Sequence, residues 1–184
     1  WAEFAAAVVE SYNGRGENYR QRLRLAQIWN EPNFPNFRFG PRQVYFDLFN
    51  RAAERIRRDY PGVLVGGPTL TKSGEDPYGW MADFIRQCGA NADYLIYHSY
   101  GESPEQIVKD VRAWTEAFRR LPGKEQGRLM ITETDFWIDG WPKSQLIFER
   151  QFRLLDIQDL LLGVHHFCCL GYNESGNYTF GVVD

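Results

Sequence analysis

The sequence predicts an α/β protein built as an incomplete (β/α)8 barrel, on three observations. Strand-like apolar runs alternate with amphipathic helical segments along the chain. The strand-like runs are almost continuously apolar, as expected for parallel strands covered on both faces. Polar and acidic residues collect where those runs stop: Asn30 and Glu31, His98 and Tyr100, Glu133, then Tyr172 and Asn173. In a barrel, chemistry gathers at the C-terminal ends of the strands. The competing closure is an open doubly wound sheet. A nucleotide-binding sheet of that kind carries an early glycine-rich phosphate loop, and no G-x-G-x-x-G occurs here.

Each element has its own local cause. Phe4, Ala5, Val8, Val9 and Tyr12 recur at helical spacing, and Asn13-Gly14-Arg15-Gly16 ends that helix. Leu23 to Ile28 alternates as a strand, and Pro32 then removes a backbone donor and stops the ladder. Pro41 opens a long helix whose Tyr45, Leu48, Phe49, Ala52, Ala53 and Ile56 form one stripe, with Arg51 to Arg58 supplying a solvated face. Val63-Leu64-Val65 is read as a short strand, and Gly66-Gly67-Pro68 as a sharp loop where Gly67 permits a ligand to approach. Asp76-Pro77 caps a helix bearing Trp80, Phe84, Ile85 and Cys88.

Asp93 to Tyr100 is the next strand, and Ser103-Pro104-Glu105-Gln106 is a capping box opening a helix with Ile107, Val111, Trp114, Phe118 and Leu121 inward. Arg128 to Glu133 repeats the pattern of an apolar strand ending in an acid. An aromatic loop with Phe136, Trp137 and Trp141 follows, with Asp135 read as a loop cap. A helix over about 143–162 and a strand over Gly163 to Leu170 complete the series.

Bulk properties exclude several classes of function. With 184 residues, 43% hydrophobic and 16% aromatic, the chain is globular and long enough for one substantial core. A net charge of −3 and an isoelectric point near 5.7 offer no basic field for nucleic acid. No apolar run reaches membrane-spanning length. Cys88, Cys168 and Cys169 lack Cys-x-x-Cys spacing and read as core residues, so no metal or other cofactor is expected.

Two acids at strand ends, Glu31 and Glu133, are the candidate catalytic pair. Barrel strands distant in sequence converge on one rim, so the two can face each other across the opening. Retaining cleavage of a glycosidic bond needs two carboxyl groups about 5 to 5.5 Å apart, one to protonate the leaving oxygen and one to attack. Aromatic residues just beyond both acids suit stacking on a sugar ring, with Trp137 and Trp141 the candidates after Glu133. His98 and Tyr100 are placed to hold the ionised member. His165 and His166 are adjacent strand residues, so at most one faces the barrel axis.

Trp29-Asn30-Glu31-Pro32-Asn33, Gly66-Gly67-Pro68, Asp93 to Tyr100 and Ile131-Thr132-Glu133 occur in the order seen in clan A retaining glycoside hydrolases. The chain most resembles glycoside hydrolase family 39, a group that includes β-xylosidases and α-L-iduronidases. The resemblance covers essentially the whole chain, from the third barrel helix to the eighth strand. By it, Glu31 is the acid/base at the end of the fourth strand and Asn30 contacts the sugar 2-hydroxyl. Glu133 is the nucleophile at the end of the seventh strand. Trp29, His98, Tyr100, Trp137 and Tyr172 line the substrate site, and the substrate is a β-glycoside or a polysaccharide.

The chain departs from that pattern in two places. Its last strand offers His165, His166, Phe167 and then Tyr172 where such barrels commonly place a Trp. Barrels of this type run to about 250 residues, and residues 1–184 correspond to a barrel without its first three strands. That predicts either a segment or partner supplying those strands, or self-association across the open side. Two other classes of function stay open on the sequence: a carbohydrate-binding fragment without turnover, and metal-dependent hydrolysis using Glu31, His98, Glu133 and His165 or His166.

Overall fold

The structure is a computed structural model and describes residues 1–13, 23–100, 102–135, 149 and 153–164. Five strands form one parallel sheet in the order of the sequence. They are β1 (Leu25–Gln27), β2 (Leu64–Thr71), β3 (Tyr94–Tyr100), β4 (Leu129–Asp135) and β5 (Leu161–Val164). Helices α1 (Ala2–Asn13), α2 (Arg42–Asp59), α3 (Pro77–Cys88) and α4 (Pro104–Arg119) alternate with them.

Helix starts follow local chemistry. Asp76 caps α3 by accepting from the Gly79 amide at 3.1 Å, and Ser103 caps α4 through the Gln106 amide at 3.2 Å. The capping box of α4 is only half formed, because the Gln106 amide group donates to Asp110 at 2.8 Å instead of turning back.

The two faces of the sheet differ in kind, which separates a barrel segment from a doubly wound sheet. One face carries the main core, where Phe46, Phe49, Phe84, Phe118, Leu95 and Tyr97 join helices to strands. The other holds Tyr94, Ile96 and Met130 with Leu25 and Leu162, all from strands. Among the described residues, helices therefore cover a single face, as in a (β/α)8 barrel and unlike a doubly wound sheet.

Three expectations need correction. Gly66-Gly67-Pro68 is not a loop: β2 runs through it to Thr71. The glycines are there for packing, since a Cβ at Gly66 would lie 2.3 Å from Tyr94 Cε2, and one at Gly67 would lie 2.8 Å from Phe49 Cε2. Gly67 thus admits the core and not a ligand. β4 extends past Glu133, where the strand was expected to end, and its last residue is Asp135. The helix expected to reach 162 has given way to a 3-10 turn over Gln158–Leu160, and β5 begins at Leu161.

α1 forms where the sequence places it, over Ala2–Asn13. It buries Ala6 and Val9 but leaves Phe4, Val8 and Tyr12 exposed, so the predicted stripe is only half covered. On the arginine face of α2, Arg57 donates to Asn91 O and Asp93 Oδ1 while its side chain stays 41% exposed.

Candidate active site

β1 leaves regular pairing after Gln27, yet the motif behind it remains pinned to β2. The Ile28 amide donates to Gly66 O at 3.3 Å and the Glu31 amide to Thr69 O at 3.0 Å. Between those bonds Trp29 and Glu31 take φ of 66° and 43°, and Thr69 takes 58° beside the register shift at Pro68/Leu70. Each such left-handed residue costs roughly 1–2 kcal/mol. Asn33 offsets part of that cost. It is fully buried, and its Oδ1 accepts from Thr71 N at 3.1 Å while its Nδ2 donates to Thr71 O at 2.8 Å. Asn33 therefore works as the strut that holds Glu31 over β2.

His98 and Tyr100 are two apart on β3 and share its inner face. Glu133 pairs with His98 across the sheet. The result is one cluster. His98 Nδ1 lies 2.8 Å from Glu31 Oε1 and 3.4 Å from Glu133 Oε2, while Tyr100 OH donates to Glu133 Oε2 at 2.7 Å. One oxygen of each glutamate and a ring nitrogen of His98 all lie within 4.8 Å of one another. His98 is fully buried, Glu31 is 8% exposed, and the Glu133 side chain is 29% exposed and so open to a bound molecule.

The other predicted site residues fall into two groups. Trp29 is engaged elsewhere: its Nε1 donates to Phe37 O at 3.0 Å, and its ring makes edge contacts with Trp1 and Phe39. Trp29 and half-buried Asn30 both line an apolar groove of about 510 Å³ between α1, α2 and β1. Trp137, Tyr172, Asn173, Trp141, His165, His166, Cys168 and Cys169 lie outside the described residues. Cys88 is buried with its thiol pushed up to about 12 by burial, as befits a core residue.

Sequence reasoning missed Thr132, whose Oγ1 lies 3.0 Å from His98 Nε2. Strand alternation places Thr132 and Glu133 on opposite faces, so no periodic signal reveals it.

A second ionic cluster lies on the helix side of β3. Lys72 Nζ donates to Asp110 Oδ2 at 2.6 Å and sits 3.4 Å from Glu102 Oε1, and Tyr97 OH donates to Glu102. Burial raises Glu102 above the usual carboxylate range, opposed by the Tyr97 hydroxyl and by Lys72. Burial likewise raises the Tyr97 hydroxyl, so it stays a donor.

A parallel β/α segment with helices on one face and two glutamates meeting at strand ends defines the class of barrel proteins whose sites lie on the C-terminal rim. Residues 1–122 match glycosyl hydrolases family 39, and the chain belongs to that family. It is 30% identical over 104 residues to a β-xylosidase of Geobacillus stearothermophilus, covering 54% of this chain and 20% of that protein. A β-xylosidase of Caldicellulosiruptor saccharolyticus is 27% identical over 101 residues, with the same coverage. The chain thus spans about a fifth of the curated relatives it matches.

Solved structures agree on the fold. The family 39 enzyme of Xanthomonas axonopodis pv. citri superposes with a TM-score of 0.68 at 24% identity, over 91% of this chain and 37% of its own. An α-L-arabinofuranosidase of Thermotoga maritima gives 0.72 at 13% identity, over 91% and 41%.

Proposed function

We propose that the protein containing this chain is a retaining glycoside hydrolase, with Glu31 as acid/base and Glu133 as nucleophile, acting on β-glycosides. The observation that carries the reading is the carboxylate spacing. Oxygens of Glu31 and Glu133 lie within 4.8 Å of each other. That is close to the roughly 5 to 5.5 Å of double displacement and short of the roughly 6.5 to 9.5 Å that leaves room for an attacking water.

The division of labour follows from the hydrogen bonds. Tyr100 and His98 both direct groups at Glu133 Oε2, where negative charge sits before attack and returns when the glycosyl ester is hydrolysed. Glu31 has His98 as its polar side-chain contact and adjoins Asn30, the residue that the family resemblance assigns to the sugar 2-hydroxyl. In the first step Glu133 attacks the anomeric carbon as Glu31 gives its proton to the leaving oxygen. In the second step Glu31 takes a proton from water, which displaces Glu133. The names of the matched relatives make aryl β-xylosides the first substrates to try.

Residues 1–184 are, on this reading, one section of a (β/α)8 catalytic domain. The edge of β1 away from β2 has no strand beside it among the described residues, and the groove between α1 and β1 is lined almost wholly by apolar side chains. A strand supplied by the rest of the protein, or by self-association, would cover it. A monodisperse monomer of residues 1–184 with a cooperative melt would count against that need.

The test is turnover of aryl β-glycosides by the full-length protein. The Glu133→Ala variant is expected to lose activity and to regain part of it with azide, giving a glycosyl azide of inverted configuration. An intact wild type inactive across a glycoside panel would sink the proposal. Glu31, His98 and Glu133 also have the spacing of a metal site, which makes metal-dependent hydrolysis the second reading. On it, a chelator abolishes turnover; on the first, activity is indifferent to chelation.

A further inference from the structure

Pairing between β3 and β4 runs Tyr97 with Ile131 and then His98 with Glu133, which leaves Thr132 as the extra residue of a bulge. In a regular strand Thr132 and Glu133 would face opposite sides of the sheet. The bulge re-aims them, and both reach His98: Thr132 Oγ1 lies 3.0 Å from Nε2, and Glu133 Oε2 lies 3.4 Å from Nδ1. Glu31 Oε1 completes the set at 2.8 Å from Nδ1.

The His98 ring is fully buried, so both nitrogens need partners within the protein. A neutral imidazole carries one N–H and one lone pair. Glu133 Oε2 already accepts from Tyr100, and Glu31 Oε1 accepts whether that carboxyl is ionised or carries its proton on Oε2, so the ring proton belongs on Nδ1. Nε2 is then the bare nitrogen, and the group opposite it must donate. The Thr132 hydroxyl is that group.

We propose that Thr132 is a positioning residue of this site. Its hydroxyl donates to His98 Nε2 and holds the ring so that the Nδ1 proton sits between Glu31 and Glu133. The consequence for catalysis rests on the glycosidase reading; the hydrogen-bond assignment does not. Without the hydroxyl, a 180° turn of the ring would put carbon where Nδ1 now faces the two carboxylates, and no polar contact to Thr132 would resist it. The sequence Thr132-Glu133 thus supplies the candidate nucleophile and the anchor of its neighbour from consecutive positions.

Two measurements on the full-length protein test this. Long-range 1H–15N correlation of the His98 ring is expected to find the proton on Nδ1 and none on Nε2. In Thr132→Val the Nε2 resonance moves toward that of a lone pair without a donor, and in Thr132→Ser it stays as in wild type. Turnover is expected to fall about tenfold in kcat for Thr132→Val with KM little changed, the loss expected for one hydrogen bond, and to be kept in Thr132→Ser.

A protonated Nε2 in the wild type overturns the proposal, as does a Thr132→Val protein with unchanged ring signals and unchanged kcat. The wild-type and Thr132→Ser spectra decide the matter even if the valine variant fails to fold. A wild type without turnover strikes the glycosidase reading instead, and the ring signals still judge the role of Thr132.

Discussion

Opposite faces of β3 carry two clusters of similar composition and different physical character. Each contains two carboxylates, with one tyrosine hydroxyl on the inner side and two, Tyr97 and Tyr78, on the helix side. On the helix side, Lys72 places a permanent cation against Asp110 and near Glu102, and α3 and α4 cover the group. On the inner side, His98 and Tyr100 stand between Glu31 and Glu133, and Glu133 is partly open. A fixed cation locks a carboxylate pair and leaves nothing for a substrate to displace. A histidine and a phenol hold the other pair in place while leaving its charge available. On the proposed glycosidase reading, proximity of acids does not by itself mark a reacting pair; the kind of group that separates them does.

That contrast can be broken from either side. The largest effect is expected at the inner pair, where Glu31→Gln should lower kcat by about 10²–10⁴-fold without changing the unfolding midpoint by a comparable amount. Steady-state kinetics and urea unfolding of the full-length protein check both halves. A Glu31→Gln enzyme that keeps its turnover and loses its fold would reverse the assignment of the two clusters.

The helix-side cluster should respond in the opposite sense. Lys72→Met leaves Asp110 and Glu102 buried without their cation and is expected to cost on the order of 3 kcal/mol of stability. The Lys72 side chain is 21% exposed and that of Asp110 only 3%, so solvent replaces little of the lost pairing. Turnover per folded molecule should hold.

Tyr100→Phe is expected to have a smaller effect. Losing the hydroxyl that donates to Glu133 should lower kcat about tenfold, with the fold intact. A tyrosine whose removal changes only KM would belong to substrate binding and not to the proposed nucleophile.

The smallest effect concerns pH. Burial raises Glu102 in the folded state, among Tyr97, Lys72 and Asp110, above its ordinary value of 4.5. The folded protein therefore binds more protons than the unfolded chain in the window above 4.5. The contribution of Glu102 is full below that value and is lost as pH rises through the raised one. Glu102→Gln should flatten that part of the stability profile, measured by urea unfolding at a series of pH values. An unchanged slope would remove Glu102 as its source.

Much of the architecture was legible in the residues. The stripes of α2, α3 and α4 and the caps at Asp76 and Ser103 are local signals, and local geometry answers to them. β2 was misread because Gly66-Gly67-Pro68 carries every sign of a turn, whereas the glycines make room for Tyr94 and Phe49. The half-covered stripe of α1 has a related cause: periodicity states that a face is apolar, not what lies against it.

The amino-acid sequence by itself determined the alternation of elements and the placement of acids toward strand ends, because each depends on spacing within a few residues, and the barrel expectation then made Glu31 and Glu133 the candidate pair. Three things only the tertiary structure decided. One is the meeting of Glu31, His98 and Glu133 within 4.8 Å, which needs three strands in one register. Another is the engagement of Trp29 with Trp1 and Phe39. The last is the bulge that turns Thr132 toward His98. Contacts between strands far apart in sequence leave no period to read, and a bulge breaks the one period a strand has.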